Sequence, residues 1–108
     1  MRPRFLADAD FNQKIVLGLR RREPSGGVVG VRDPDVLKIA AESARILVFH
    51  DRKTMPAHFY QFCEERTSPG IIIVPQNLDI GAAIDDLLLI WTATDAEEWV
   101  GHIGFVPV

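Results

Sequence analysis

Short apolar runs of β type, alternating with longer segments of helical period, point to an α/β domain built on a mainly parallel sheet. The purest runs, Ile46-Leu47-Val48-Phe49 and Ile71-Ile72-Ile73-Val74, show no polar alternation, as expected of strands covered by helices on both faces. Size agrees with this. A chain of 108 residues, 47% hydrophobic and 25% charged, builds one core rather than two, so a single domain is expected over residues 1–108.

Phe5-Leu6-Ala7 reads as a short first strand that stops at Asp8. Asp10, three residues before Gln13, is a capping-box start to a first helix with Phe11, Ile15, Val16 and Leu19 on one face. Arg20-Arg21-Arg22 suits the negative end of that helix, and Pro24-Ser25-Gly26-Gly27 breaks it. Val28-Val29-Gly30-Val31 follows as a weak strand. Asp33-Pro34 predicts the next helix start, with Asp33 as cap, Pro34 in the first turn, and Val36, Leu37, Ile39 and Ala40 on the buried side. After the Ile46 strand, a helix from about Pro56 to Arg66 carries Phe59, Phe62 and Cys63, and Ser68-Pro69-Gly70 turns the chain into the Ile71 strand. The spacing of Ile80, Ile84, Leu87, Leu88 and Trp91 makes Ile80 to Ala93 a strongly amphipathic helix. Leu89 and Ile90 lie well round from that stripe, so excess apolar surface, and with it a homodimer interface, is expected there. Asp95-Ala96-Glu97-Glu98 is a second capping box before a last strand near Ile103 to Val106.

A formal charge of −3 excludes a protein that holds nucleic acid by bulk electrostatics, since that mode needs a Lys/Arg surplus. Any such role has to be local. The lone Cys63 excludes an internal disulfide and a CxxC zinc site, and on an apolar helix face it reads as a small core residue. No apolar run approaches the roughly 18 residues of a membrane span, and no signal-peptide core follows Met1-Arg2-Pro3-Arg4. A cytoplasmic protein without a membrane anchor is expected.

In an open parallel sheet the loops leaving the C-terminal strand ends form the ligand crevice. Asp8 and Asp51 follow two of the strands, and Asp33 reaches the same edge if it opens the second helix. Converging carboxylates repel unless a cation sits among them, and oxygen donors without a cysteine cluster suit Mg²⁺ or Mn²⁺ rather than zinc. Lys14, Arg52 and Lys53 are placed to hold phosphates, whereas Arg20 to Arg22 end a helix that runs roughly 16 Å back to the opposite edge.

Three blocks carry a resemblance: Phe5-Leu6-Ala7-Asp8 before a helix, Asp33-Pro34-Asp35-Val36-Leu37 before an alanine-bearing helix, and Ile46-Leu47-Val48-Phe49-His50-Asp51-Arg52. Together they resemble the small PIN-like proteins of domain-of-unknown-function family 5615, and the likeness extends over nearly the whole chain. It implies a three-layer α/β/α PIN-like (Rossmann-like) domain with a mainly parallel four- to five-stranded sheet. PIN domains are nucleases that bind Mg²⁺ or Mn²⁺ with clustered acidic residues, and many bacterial members are ribonuclease toxins partnered by a small antitoxin. The resemblance therefore implies a metal-dependent ribonuclease with Asp8, Asp33 and Asp51 as catalytic and metal-binding positions. RNA is its implied substrate and a small antitoxin its implied partner.

The chain departs from the family pattern in three places. Ala9 stands where a Glu usually follows the first Asp, Lys53 stands where a second acidic residue is usual, and the Val31 to Asp33 connection lacks the family's longer Gly-containing loop. Replacing a carboxylate by an ammonium weakens a cation site, so the alternative reading is a catalytically degenerate PIN-like binding or dimerisation module. A receiver-like phosphoacceptor domain is a third reading; it needs a lysine after its last core strand, and Val74-Pro75-Gln76 has none. Individual residues also have structural readings: Asp10 and Asp33 as helix caps, His50 as a hydrogen-bonded structural histidine, His58 and His102 as surface residues, Trp91 and Trp99 as packing.

Overall fold

The computed structural model describes residues 1–25 and 27–107; Gly26, in the expected breaker, lies outside the described residues. Five strands, β1 (Phe5–Ala7), β2 (Val28–Gly30), β3 (Ile46–Phe49), β4 (Ile71–Ile73) and β5 (Ile103–Phe105), pair in parallel in the order β2-β1-β3-β4-β5. Four helices connect them: α1 (Gln13–Arg22), α2 (Val36–Ser43), α3 (Met55–Glu65) and α4 (Ile80–Ala93), followed by a 3₁₀ turn at Ala96–Trp99.

Strand side chains alternate between faces, and here both faces are apolar. Phe5, Ala7, Ile46, Val48 and Ile72 pack with Ile15, Leu19, Ala83 and Leu87 of α1 and α4. The intervening Leu6, Leu47, Phe49, Ile71 and Ile73 pack with Val36, Ala40 and Phe59 of α2 and α3. Three layers result, with the α/β class and the parallel sheet as expected and the strand count at five. That double burial is why β1, β3 and β4 read as unbroken apolar runs.

Gly18 occupies the middle of α1, where glycine costs about 1 kcal/mol relative to alanine. A Cβ there would collide with Ile84 Cδ1 of α4. The Ile84 side chain of α4 therefore seats directly on the α1 backbone at Gly18, and Arg22 reaches across to Asp85 at 2.9 Å. That pair is exposed, so it contributes at most about 1 kcal/mol.

Two helix starts differ from expectation: at α1 the cap is the residue whose side chain folds back onto a free N–H, whereas the residue before α2 makes no side-chain cap bond. Asn12, not Asp10, caps α1, accepting from Lys14 N at 2.9 Å. Asp35 rather than Asp33 precedes α2, so Pro34 lies outside that helix. In α4 the buried stripe is Ala83, Ile84, Leu87 and Ile90. Ile90 is 2% exposed and belongs to the core, leaving Leu89, at 51%, as the outward-facing residue of the expected excess. Trp91 and Trp99 pack against the core margin as expected. Among the described residues no helix is long and apolar enough to cross a membrane.

Candidate functional site

The strand order reverses direction between β1 and β3: β2 lies to one side of β1, while β4 and β5 lie beyond β3. At such a switch point the two flanking loops diverge and leave a crevice outside the C-terminal strand ends. A cleft of ≈ 520 Å³ opens there, and Asp8, Asp10, His50, Asp51, Thr54 and Gln76 are among its lining residues. The adjacency of β1 and β3, on which the convergence of Asp8 and Asp51 depended, is therefore real.

Asp8 is carried to the cleft by the last peptide of β1, its N–H donating to the Val48 carbonyl at 3.4 Å. Its carboxyl is half-buried, and Oδ1 is fully enclosed without a hydrogen-bond partner. Burial first, and the neighbouring Asp10 charge second, push this carboxyl above the ordinary range, opposed in part by the adjacent His50 ring and then by the backbone N–H groups of Phe11 and Asp10. A carboxylate held in this way is unfavourable alone and favourable beside a cation.

His50 has a different part. The Asn12 backbone N–H donates to Nε2 at 3.1 Å, so Nε2 is an acceptor and Nδ1 carries the proton. Nδ1 in turn donates to the Val74 carbonyl at 2.8 Å. The ring also stacks on Phe11, with centroids 4.6 Å apart and planes 16° from parallel. One neutral imidazole thus joins the start of α1, the end of β3 and the end of β4, with both nitrogens engaged. It is the structural histidine, and it positions the loop that bears Asp8.

Asp51 is exposed and turned onto its own loop. Oδ1 accepts from Lys53 N at 2.9 Å and Thr54 N at 3.1 Å, and Oδ2 accepts from the Thr54 hydroxyl. The Thr54 hydroxyl first, then the Thr54 and Lys53 N–H groups, hold the carboxyl below the ordinary range. Oδ1 has no lone pair left, so Oδ2 keeps what acceptor capacity remains. Asp33 is exposed, accepts from Asp35 N at 2.8 Å in an Asx turn, and does not line the cleft, although Pro34 does. Of the three expected acidic positions, Asp8 and Asp51 share the cleft and Asp33 stands outside it.

Arg52 and Lys53 line an adjoining cleft of ≈ 450 Å³ with Gln76 and Asn77. Lys14, in the first turn of α1, lines neither, so the expected phosphate group separates into a pair and an outlier. Lys53 also lies beside the Asp8 cleft rather than in it. Sequence reasoning assigned Asp10 to a cap, left His58 on the surface, and gave Thr54 and Asn77 no part. Gln76 and Asn77 follow the β4 strand closely, and the rule that selected Asp8 and Asp51 would have found them.

Among the described residues no group of three or more His, Cys, Asp or Glu side chains stands in a metal-holding arrangement. Mg²⁺ and Mn²⁺ are commonly held by one or two carboxylates, with waters and substrate phosphates completing the shell. Asp8 and Asp10, two residues apart with one oxygen unpartnered, fit that smaller requirement. Cys63 is partly buried, and burial raises its thiol, which suits packing rather than nucleophilic attack.

Two substitutions separate loop roles from ligand roles. Asn keeps the oxygen that the Asp33 turn uses, so Asp33→Asn is expected to leave thermal stability within about 0.5 kcal/mol. Asp51→Asn keeps Oδ1 but loses the Oδ2 acceptor of the Thr54 hydroxyl, so it should be slightly less stable than the parent at neutral pH, and Asp51→Ala less stable again. Because the Asp51 carboxyl is lowered in the fold, its contribution is present above the ordinary carboxylate range and lost as pH falls through the folded value. Thermal melts of Asp51→Asn between neutral and acid pH should show that part of the acid dependence removed. Metal affinity should be unchanged in Asp33→Asn, and a loss there would return Asp33 to the ligand set.

No protein-family model matches the chain, and comparison with curated proteins and with solved structures gives no significant match.

Proposed function

We propose that this protein is a metal-dependent ribonuclease of PIN-like type that holds Mg²⁺ or Mn²⁺ at Asp8, with Asp10 as the second carboxylate. The observation that carries the reading is the enclosed, unpartnered Oδ1 of Asp8 at the switch point of the sheet. Such an ion, when bound, supplies an activated water and stabilises charge on a phosphodiester. The chain's own residues account for the rest. Asp8 and Asp10 present negative charge, Arg52 and Lys53 offer donors for a substrate phosphate one lobe away, and His50 fixes the Asp8 loop against α1 and β4. A toxin role with a small antitoxin partner belongs to the same proposal through the resemblance, as does a homodimer, whose α4 surface now rests on Leu89.

A second reading, the degenerate binding or dimerisation module, is favoured by the engagement of Asp51 and Asp33 in their own loops. The receiver-like reading is favoured by the sheet order β2-β1-β3-β4-β5, which is flavodoxin-like, and opposed by Val74-Pro75-Gln76, where the lysine it needs after β4 is missing.

Incubation of the protein with end-labelled single-stranded RNA across a Mn²⁺ titration tests the proposal. Cleavage is expected to need the metal, to stop on chelation, and to fall at least 100-fold in Asp8→Asn, about 2.7 kcal/mol of barrier. Mn²⁺ binding without cleavage would leave the degenerate module.

A further inference from the structure

The Asp8 cleft continues in both directions. Pro34, Met55 and His58 line it and also line a groove of ≈ 450 Å³ between α2 and α3. On the other side His50, Asp51 and Gln76 are shared with the Arg52–Lys53 cleft. Three lobes therefore join in a row, with Asp8 in the middle one.

The outer lobes differ in charge and texture. Arg52 and Lys53 against Asp51 leave one lobe with a formal excess of one positive charge. In the α2–α3 lobe Lys38 stands with Asp35 and Glu65, an excess of one negative charge, and the walls are Val36, Leu37, Met55 and Phe62. A phosphate is repelled from that lobe, and a flat, neutral ring is suited to it. Phe62 is partly exposed, and the Arg66 guanidinium backs its ring 5.5 Å from the centroid. Gln61 and His58 add amide and imidazole groups able to meet a heterocycle's edge.

We infer that the α2–α3 groove is a base subsite: an unpaired base of a single strand seats on Phe62 and Met55, with its backbone phosphate toward Arg52 and Lys53. The strand then crosses the Asp8 lobe between the two. A duplex keeps its bases stacked inside and cannot offer one to the groove. This inference rests on the ribonuclease reading and adds to it a place for base preference.

Fluorescence anisotropy with two labelled strands of equal length tests it, one an ordinary single-stranded RNA and one an abasic ribose-phosphate strand. Both are measured in Ca²⁺, which takes the same oxygen ligands as the proposed metal. The ordinary strand is expected to bind about tenfold more tightly, within the range of one stacked base. Phe62→Leu keeps the apolar volume but loses the flat face, so it should remove most of that difference and leave abasic binding unchanged. Lys53→Gln should weaken both strands by the same factor. Gln61→Ala, at an exposed position, serves if the Phe62 variant fails to fold, and it should change the ranking among RNA homopolymers. Equal binding of the two strands, or an unchanged difference in Phe62→Leu, overturns the base subsite while the ribonuclease reading stands. An unchanged homopolymer ranking in Gln61→Ala overturns it likewise. No binding of either strand overturns both.

Discussion

Asp8→Asn is expected to raise the thermal midpoint of the metal-free protein while abolishing Mn²⁺ binding. The two effects share a cause. Oδ1 is enclosed without a partner, and burial with the Asp10 charge raises the carboxyl. An acid whose folded value lies above its unfolded one binds more protons folded than unfolded between the two, so stability falls as pH rises through that window. At neutral pH the ionised group therefore opposes the fold. Exchanging it for a neutral amide should recover on the order of 1 kcal/mol, a midpoint about 4 °C higher or more for a domain of this size. In the parent, Mn²⁺ at about 100 times its Kd should add roughly 2.7 kcal/mol, and Asp8→Asn should lose that increment. Melts of both proteins with and without Mn²⁺ give all four values. A variant less stable than the parent without metal would mean that the Asp8 charge has a structural partner and would remove the main support for a cation there.

His50→Ala should be the more damaging change to the fold, at about 3 kcal/mol. Losing the ring leaves the Asn12 N–H and the Val74 carbonyl without partners and opens space against Phe11. An unpaired buried polar group costs about 1–3 kcal/mol, and a vacated aromatic contact adds to it. Urea denaturation should show a lower midpoint with an unchanged slope. Since Asn12 caps α1 and the same loop carries Asp8, metal affinity should fall as well, although His50 touches no metal in this scheme. His50→Gln tests the two-sided bond, because one amide has to reach a donor and an acceptor that a planar ring meets from opposite edges. If His50→Gln matched the parent in both stability and metal affinity, the imidazole would not be the tie described.

What could be read from the chain follows from how local each determinant is. The bounds of α4 were legible because its caps and stripe lie within one stretch, and Asp79 accepts from Ala82 N at 3.1 Å just ahead of Ile80. Its facing was legible in part: Ile84 and Leu87 are buried and Ile80, Leu88 and Trp91 pack against the core, but a helix apolar nearly all round does not single out Ala83 and Ile90, which packing against α1 and the sheet also buries. Asp8 and Asp51 were legible as residues after strands. Their different states were not, because whether a carboxylate faces a closed cleft or its own loop depends on Thr54 and Asp10, which have ordinary roles in sequence. His50 required contacts 38 and 24 residues away in the chain, and no local pattern reports those.

The close approach at Gly18 makes α1 a lever. Its far end is tied through Arg22 to Asp85, and its near end presents the Asn12 N–H to His50. Six residues, about 9 Å of helix, separate the point of contact with α4 from that N–H. A side chain at position 18 has either to turn the Ile84 tip aside or to move the shaft from it, and a displacement at the shaft is delivered at the tip, where the Asp8 loop is seated. Helix spacing on the rear of the sheet is in this way a setting of the cleft at its edge.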